Sequence, residues 1–348
     1  MTLPRNHVTP FVRWGVLLAI MLAAAASAQT SPPASTPALK LSTALGPAYP
    51  LGKAGEIWAT LIRDRSGGRL AVAHFPGATL SSRDPAREFG ALRDGAIELA
   101  VGSTLAWSAQ VRQLDVLALP WLVPDERTLQ ALVAGDIGKR LSAILDSAGV
   151  VAVAWAANGF VELATKMPVH SPADLDGMKI RSLPSPLIEA TLAALKATPS
   201  TMSAANARTA LENAQLDGQE SSVASYSVSR IDATGLMHLQ LWHAHADALV
   251  FAVNRSVWAS WSERDRQLVR EAAVDASRQS LAMAQRLEGD AALATLGAQG
   301  AIVTRLTAAG RDAFRDAARS IYDRWTSIIG NDLVEAAEAE ISAPHVRR

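Results

Sequence analysis

The sequence has no cysteine in its 348 residues. Disulfide bonds, thiolate metal sites, cysteine nucleophiles and lipid-modified cysteines are therefore excluded. Without such crosslinks the chain must be stabilised by its hydrophobic cores. Apolar residues make up 49% of it, which is enough material for one large domain or for two of ordinary size.

An excess of charge of either sign is also missing. Lys+Arg and Asp+Glu each number 33, so the formal net charge at pH 7 is zero, and no basic block stands out. Nucleic acid is therefore not expected as a partner. The sequence also lacks the G-x-S-x-G, H-E-x-x-H, P-loop and G-x-G-x-x-G motifs. Nothing in the sequence alone supports catalytic residues or a cofactor.

Few residues could bind a metal. His238, His243 and His245 form the one histidine cluster, and Asp247 is the nearest candidate for a further ligand. Structural histidines with satisfied hydrogen bonds are the favoured interpretation, and we predict no metal. Asp217 and Glu220 could form a carboxylate pair, but Asp217 before a glycine is more typical of a tight turn whose carboxylate accepts backbone N–H bonds.

The N-terminus has the three parts of a secretory signal. Arg5 and Arg13 are its basic start, residues 14–26 are an apolar run too short for a comfortable membrane span, and Ala26-Ser27-Ala28 is a small-residue cleavage site. We predict a signal peptide over residues 1–28, cleavage after Ala28, a flexible leader over 29–38, and a periplasmic location. The alternative is an uncleaved N-terminal anchor.

The pattern of apolar residues alternates between strands and helices, which predicts an α/β fold with a parallel sheet and right-handed crossovers. A long helical pattern over 262–296 suggests a strut between two domains, bent near Gly289. The predicted strands are 39–44, 70–75, 97–101, 150–155, 160–164, 249–254 and 301–304. The predicted helices are 50–65, 85–93, 131–148, 185–195, 204–213, 262–296 and 308–322 or beyond, with a turn at 217–222.

Arg181 ends a short predicted strand that follows the turn at residues 174–177. Burying an unpaired guanidinium is costly, so an arginine in this position indicates a partner. If the side chain faces a cleft, its planar donors suit a carboxylate held by two parallel hydrogen bonds. The alternative is a surface or hinge arginine paired with an acidic neighbour.

Aromatic residues make up only 5% of the chain, but nine of them are tryptophans. Trp107, Trp121, Trp155 and Trp242 fall at predicted strand ends or in the loops after them, where ligands bind in open α/β sheets. Together they predict an aromatic-walled pocket. For any single one of them, packing in a core is the better interpretation.

Five ordered segments resemble the periplasmic solute-binding subunits of TRAP transporters, the DctP-like family. The last two are the stretch ending in Lys179-Ile180-Arg181 and the Asp-Gly-Gln-Glu motif at 217–220. The resemblance covers residues 39–304 approximately. The five segments are residues 66–70 followed by 75–77, then 92–97, 119–122, 171–181, and 210–211 leading to 217–220.

The resemblance implies a two-domain periplasmic binding protein fold with crossover strands and a long bent inter-domain helix. We expect domain I to comprise residues 39–158 plus 248–285, and domain II residues 159–247 plus 286–345. It also implies closure over a small organic acid and delivery to TRAP membrane permease subunits, without enzyme activity. The chain could be a monomer or a dimer.

The resemblance further implies that Arg181 binds the ligand carboxylate. An asparagine common in the family after the Asp-Gly-Gln-Glu motif is replaced by Ser221, and a second arginine in a Gly-Phe-Arg segment is replaced by Val161. Loss of that arginine favours a monocarboxylate with an apolar or aromatic body, although Arg208 could supply the missing charge. We expect Gln219 and Ser221 to contact polar groups of the ligand. The predicted apolar walls are Phe160, Trp107, Trp121 and Trp242.

Two other function classes stay open at this point. One is an exported lyase or hydrolase that uses Asp217, Glu220, His243 and His245. The other is a ligand-sensing subunit of a membrane receptor, which would bind the same ligand but present it to a different partner.

Overall fold

The computed structural model describes residues 38–202 and 204–343. The predicted signal peptide at 1–28, the cleavage after Ala28 and the leader up to residue 37 lie outside these ranges. Within them, no helix has the length and apolar character needed to cross a bilayer.

Strands and helices alternate along most of the described chain. The strands are β1 Leu39–Thr43, β2 Val72–Pro76, β3 Leu99–Ser103, β4 Val150–Thr165, β5 Lys179–Ser182, β6 Thr198–Thr201, β7 Gly218–Ser221, β8 His238–Asn254 and β9 Ile302–Arg305. The helices are α1 Pro50–Arg65, α2 Glu88–Arg93, α3 Thr104–Trp107, α4 Glu126–Ala134, α5 Asp136–Ser147, α6 Pro186–Ala194, α7 Ala204–Glu212, α8 Val223–Val228, α9 Arg255–Ser260, α10 Glu263–Glu288, α11 Asp290–Ala298, α12 Ala308–Ala317, α13 Arg319–Ile329 and α14 Asn331–Ser342. Short 3-10 helices cover Thr79–Ser81, Pro85–Arg87, Arg112–Val116, Pro172–Leu175 and Ile231–Thr234.

All nine strands belong to one mixed sheet, in the order β2-β1-β3-β8-β4-β7-β5-β6, with β9 added to β8. Strands β1, β2 and β3 are parallel, and so are β5, β6 and β7. The long strands β4 and β8 run antiparallel to each other at the centre. The predicted α/β class is confirmed, but an all-parallel sheet is wrong because β4 and β8 introduce antiparallel pairs.

The two long strands each serve both halves of the sheet. Residues 249–253 of β8 pair with β3, whereas residues 238–241 pair with β9. On β4, residues 162–165 pair with β7, whereas residues 150–157 pair with the β3 end of β8. We call β1–β3 with helices α1–α5 the first lobe. We call β5–β7 and β9 with helices α6–α8 and α11 the second lobe. The predicted crossover strands between two lobes are confirmed.

Helix α1 shows why the first lobe forms. Its apolar stripe, Leu51, Ala54, Trp58 and Ile62, is buried at the spacing of one helix face. The Trp58 ring packs edge-on against Phe251 of β8, with ring centroids 5.5 Å apart. Two glycines with positive φ follow at residues 67 and 68, after the helix ends.

Helix α10 is the longest helix, with 26 residues. Ser262 caps it, since its Oγ accepts a hydrogen bond from Asp265 N at 3.2 Å. The helix ends at Gly289, where α11 begins, so the bend predicted near Gly289 is a break between two helices. Its last turn contacts both lobes. Gln285 Nε2 donates to Glu126 Oε1 of α4 at 3.2 Å, and Glu288 Oε1 accepts from Ala224 N of α8 at 3.4 Å.

Several predicted elements differ from the structure. The strands predicted at 150–155 and 160–164 are one strand, β4, and the helix predicted from 308 to 322 is divided into α12 and α13. The helix predicted over 131–148 is two helices separated by Gly135, where an added Cβ would meet the Glu340 carboxylate. The turn predicted over 217–222 contains β7, and β8 begins eleven residues before the predicted strand at 249. Both strands carry buried polar residues, whose hydrogen bonds are made to other side chains and to neighbouring strands.

Candidate functional site

Arg181 lies on β5, opposite Ser200 of β6 and Gln219 of β7. Its Nε donates to Met202 O at 3.2 Å. Burial lowers the pKa of Arg181, and the negative charge of Glu220 opposes that shift. No carboxylate of residues 38–202 or 204–343 forms an ion pair with this guanidinium, which distinguishes it from an ordinary paired surface arginine.

The Asp-Gly-Gln-Glu motif positions the next side chains. Asp217 Oδ2 accepts a hydrogen bond from Lys179 N at 2.9 Å, so the predicted backbone-capping role of Asp217 is confirmed. Gln219 and Ser221 follow on β7, and both are buried. Ser221 lies opposite Glu162 of β4, and its Oγ donates to Ser222 O at 3.0 Å. The structure thus brings Arg181, Gln219 and Ser221 onto neighbouring strands.

Glu220 occupies the other face of β7. It is fully buried, and burial raises its pKa to about 8, although a hydrogen bond from Leu183 N and the charge of Arg181 oppose the shift. Its Oε2 accepts from Leu183 N at 3.2 Å, and Oε1 has no partner among the described residues. Asp217 and Glu220 therefore serve separate structural roles.

Glu162 and His243 form a pair that the sequence did not single out. Glu162 is buried on β4, and its Oε1 lies 3.1 Å from His243 Nε2. Its Oε2 accepts from the backbone N of Trp242 at 2.8 Å and of His243 at 3.1 Å. His243 has a φ of +49°, which is uncommon for a residue other than glycine, and its ring stacks on Phe160 with centroids 4.6 Å apart. The available sign of this pair in the sequence is Glu162, a charged residue directly after Gly159-Phe160-Val161 in a predicted strand.

Asp247 and Asn158 join the two long strands at a bulge. The register of β4 and β8 shifts between Ala157 and Phe160, and Asn158 Nδ2 donates to Asp247 Oδ2 at 2.8 Å. Ser103 and Thr104 also donate to Asp247, from the end of β3. Burial raises the pKa of Asp247, while these hydrogen bonds oppose the shift. The strand ends of both lobes therefore converge on one short segment of β4.

The predicted aromatic walls are mostly in the core. Trp107 is fully buried and donates to Glu88 Oε2 at 3.3 Å. Trp121 Nε1 donates to Trp242 O, and Trp242 Nε1 donates to Val161 O, both at 2.9 Å. The two indoles also pack on Phe314. These contacts fit core packing, and a ligand contact for these three tryptophans stays a prediction. Trp155 is half-buried and donates to Ser142 Oγ at 2.9 Å.

The remaining histidines do not converge on one point. His245 is fully buried, burial lowers its pKa to about 4, and its Nδ1 lies 2.7 Å from Ala118 O. His243 instead faces Glu162. In the part of the chain that the structure describes, no group of three His, Cys, Asp or Glu side chains could hold a metal ion.

Comparison with known proteins identifies the family. Residues 41–327 match DctP, described as "Bacterial extracellular solute-binding protein, family 7". A C4-dicarboxylate-binding periplasmic protein DctP from Rhodobacter capsulatus is 25% identical over 302 residues, covering 86% of this chain and 90% of its own length.

Solved structures agree in fold. A TRAP periplasmic solute binding protein from Ralstonia eutropha, with bound (S)-2-acetolactate, is 44% identical with a TM-score of 0.85, and covers 87% of this chain and 98% of its own. One from Sulfurospirillum deleyianum, with bound succinate, is 24% identical with a TM-score of 0.78, and covers 87% and 98%.

The relatives are substrate-binding proteins of transporters, so the exported enzyme considered from the sequence is wrong. The fold, the ordered motifs and the family match point to the same conclusion. The chain belongs to the bacterial extracellular solute-binding protein family 7 and is a solute-binding protein of a TRAP transporter.

Proposed function

We propose that the protein captures a small monocarboxylate in the periplasm and delivers it to the membrane permease of a TRAP transporter. The observation that carries the proposal is Arg181, a largely buried guanidinium without a carboxylate partner in the described residues. A ligand carboxylate would accept two parallel hydrogen bonds from it. Gln219 and Ser221, on the neighbouring strand, would contact the ligand's other polar atoms.

A single ligand carboxylate is favoured over two. Val161 stands where the family commonly has a second arginine, and Val161 is buried. Arg208 lies on α7 beside Glu212, with its Nε 3.6 Å from the Glu212 carboxylate, so its charge already has a neighbour. The relative that is 44% identical holds 2-acetolactate, which is a monocarboxylate with hydroxyl, methyl and oxo groups.

The ligand body is proposed to be compact. Phe160 is the predicted wall residue whose ring stacks on the His243 imidazole, whereas Trp242 contacts the pair only through its backbone N–H. Trp121 and Trp242 pack on each other and on Phe314 instead. A branched body of a few carbons therefore suits the site better than an aromatic ring.

Closure of the two lobes would then exclude water from the Arg181 contact and strengthen it, because the effective dielectric falls. The predicted boundaries, 39–158 plus 248–285 against 159–247 plus 286–345, cross β4 and β8 at the bulge beside Asn158. The pairing of β4 with β8 is irregular at that bulge, which supports bending of the two strands at this point when the lobes close. The signal peptide predicted for residues 1–28 and the extracellular family support the periplasmic location.

The test is isothermal titration of the mature protein with 2-acetolactate, 2-hydroxyisovalerate, succinate and L-malate. We expect the monocarboxylates to bind and Arg181→Ala to weaken them by about 2–5 kcal/mol, since a buried charge would lose its partner. Arg311→Ala, an exposed arginine on α12, is the control. Tight binding of succinate or malate with no monocarboxylate binding would overturn the proposed ligand class.

A further inference from the structure

We propose that His243, oriented by Glu162, accepts a hydrogen bond from a hydroxyl group of the ligand and so selects hydroxy acids over oxo acids. This inference rests on the proposed function, because it assigns the second recognition group of the same site. It concerns the part of the ligand that Arg181 does not contact.

The Glu162 carboxylate is fixed on every side. Its Oε2 accepts two backbone N–H bonds, from Trp242 at 2.8 Å and His243 at 3.1 Å, and its Oε1 faces His243 Nε2 at 3.1 Å. Only 3% of the Glu162 side chain is exposed, whereas 35% of the His243 side chain is exposed. The carboxylate is thus part of the protein interior, and the imidazole is the member of the pair that an incoming molecule can contact.

The backbone holds this imidazole in an unusual position. His243 has a φ of +49°, a left-handed conformation that is strained for a residue with a Cβ. The ring is also stacked on Phe160, with planes 27° apart. Strain of this kind persists where the surrounding structure imposes it and is concentrated at functional sites. The ring orientation is therefore determined before any ligand arrives.

The contact between Glu162 and His243 determines which imidazole nitrogen of His243 carries the hydrogen. Because Glu162 Oε1 is an acceptor, the facing His243 Nε2 carries the hydrogen, and in the neutral ring Nδ1 is left as an acceptor. Within residues 38–202 and 204–343, His243 Nδ1 has no hydrogen-bond partner. An acceptor can bond a hydroxyl group of the ligand, but it cannot bond an oxo or second carboxylate oxygen.

The strand register places Arg181 and Glu162, the residue that orients His243, on the same face of the sheet. Arg181 lies opposite Gln219, Ser221 is two residues further along β7, and Ser221 lies opposite Glu162. Directly paired residues, and residues two apart, share a face of the sheet, so Arg181 and Glu162 do as well. Two strand spacings and two residues of rise separate their Cα atoms by about 12 Å.

We infer that one ligand contacts both groups. Arg181 Nε is bonded to Met202 O, so its terminal NH2 groups would hold the ligand carboxylate, and the His243 imidazole would contact the ligand from the β4 and β8 side. A carboxylate at Arg181 and a hydroxyl near His243 would satisfy both ends. A second carboxylate in the hydroxyl position would face the Glu162 charge, which agrees with the proposed preference for monocarboxylates.

The experiment compares three acids with the same carbon skeleton: 2-hydroxyisovalerate, 2-oxoisovalerate and isovalerate, by isothermal titration. In the wild type we expect the hydroxy acid to bind at least about tenfold more tightly than the other two, because an acceptor left unpaired by the ligand is penalised. His243→Asn, which tolerates the left-handed backbone, should reduce that ratio to within about threefold. His170→Asn, on an exposed surface, is the matched control and should leave the ratio unchanged.

Glu162→Gln gives the sharper test. The glutamine oxygen would take the two backbone N–H bonds, and its NH2 group would then donate to His243 Nε2. The imidazole would have to place its hydrogen on Nδ1, which becomes a donor. We therefore expect the preference to invert, so that 2-oxoisovalerate binds more tightly than 2-hydroxyisovalerate.

The outcomes separate the two proposals. If the acids bind, depend on Arg181 and show the same hydroxy-to-oxo ratio in wild type, His243→Asn and Glu162→Gln, the role of His243 is overturned and the proposed function stands. If none of the acids binds the wild type while its thermal unfolding shows a folded protein, the proposed function fails and this inference fails with it. Melting temperatures of the variants near that of the wild type establish that binding changes are local.

Discussion

Gly159 connects the bulge in β4 to the end of helix α10. Its φ is +84°, and an added Cβ would meet the Glu288 carboxylate. We expect Gly159→Ala to lower the free energy of unfolding by about 2 kcal/mol, because a left-handed alanine is strained and Glu288 must move away from Ala224 N. Urea unfolding followed by circular dichroism measures the change.

Gly46→Ala is the control for Gly159, since an added Cβ there meets nothing within 4 Å and φ is not positive. We expect a change within about 0.5 kcal/mol for it. Equal effects of the two substitutions would contradict the strain assigned to Gly159.

Glu88 is a fully buried carboxyl in the first lobe. Ser42 Oγ donates to it at 2.7 Å and Trp107 Nε1 at 3.3 Å, yet burial dominates and raises its pKa to about 7. The folded state therefore binds this proton more tightly than the unfolded chain, where the group titrates near 4.5. Stability from this group is fully present below pH 4.5 and is lost as pH rises through 7.

In the wild type, the free energy of unfolding should fall between pH 5 and pH 8 as Glu88 loses its proton. We expect Glu88→Gln to make this fall smaller, by up to about 3 kcal/mol. Chemical denaturation at the two pH values measures the difference. Glu335→Gln, at an exposed position of α14, should leave the pH dependence as it is in the wild type. An unchanged slope in Glu88→Gln would show that other groups produce the fall.

The sequence pointed to Arg181, Gln219 and Ser221 as candidate site residues, but not to the pairing of Glu162 with His243, for a physical reason. Arg181, Gln219 and Ser221 lie within short motifs, so their neighbours in space are partly their neighbours in sequence. Glu162 and His243 are 81 residues apart and meet through the pairing of β4 with β8. Their relation depends on strand register, which apolar periodicity along one segment does not determine.

At the scale of elements, helix α4 begins with a side-chain cap. Asp125 Oδ1 accepts a hydrogen bond from Thr128 N at 2.8 Å. We expect Asp125→Ala to destabilise the protein by about 1 kcal/mol, within the usual range for loss of an N-cap. Asp125→Asn should retain most of the stability, because asparagine caps as well as aspartate. Thermal unfolding of both variants tests this, and equal losses would argue against capping as the cause.

The elements predicted correctly are those with a strong local pattern, such as α1 with its buried stripe and its glycine stop. Strand β7 was assigned as a turn because Asp217-Gly218 has turn chemistry and the strand has only four residues. The first half of β8 carries His238, Gln240 and His243, which mask an apolar alternation. Of these three, Gln240 is buried, and its side chain pairs with Thr304 of β9, a tertiary contact that local preference does not predict.

At the scale of the whole molecule, a hydrogen bond between two hydroxyl groups joins the lobes. Tyr49, which precedes α1, has its OH 2.8 Å from Ser229 Oγ at the end of α8. We expect Tyr49→Phe to weaken ligand binding about threefold to tenfold, mainly through faster release, because the contact between the lobes loses this bond. Stopped-flow measurement of ligand dissociation tests it.

Tyr322→Phe is the matched control, since it removes a hydroxyl bonded to Glu338 between α13 and α14, on one side of the molecule. It should leave the dissociation rate unchanged. A Tyr49→Phe variant with wild-type dissociation would show that closure does not depend on the Tyr49–Ser229 bond.

The convergence of both lobes on one segment of β4 also constrains how such a protein can diversify. Asn158, Gly159 and Glu162 belong at once to the strand pairing between the lobes and to the proposed surroundings of the solute. A homologue that evolves specificity for a different ligand cannot replace these residues without disturbing the strand pairing. We expect its early substitutions to accumulate instead on the β5 and β7 side, so that the central segment changes last over evolutionary time.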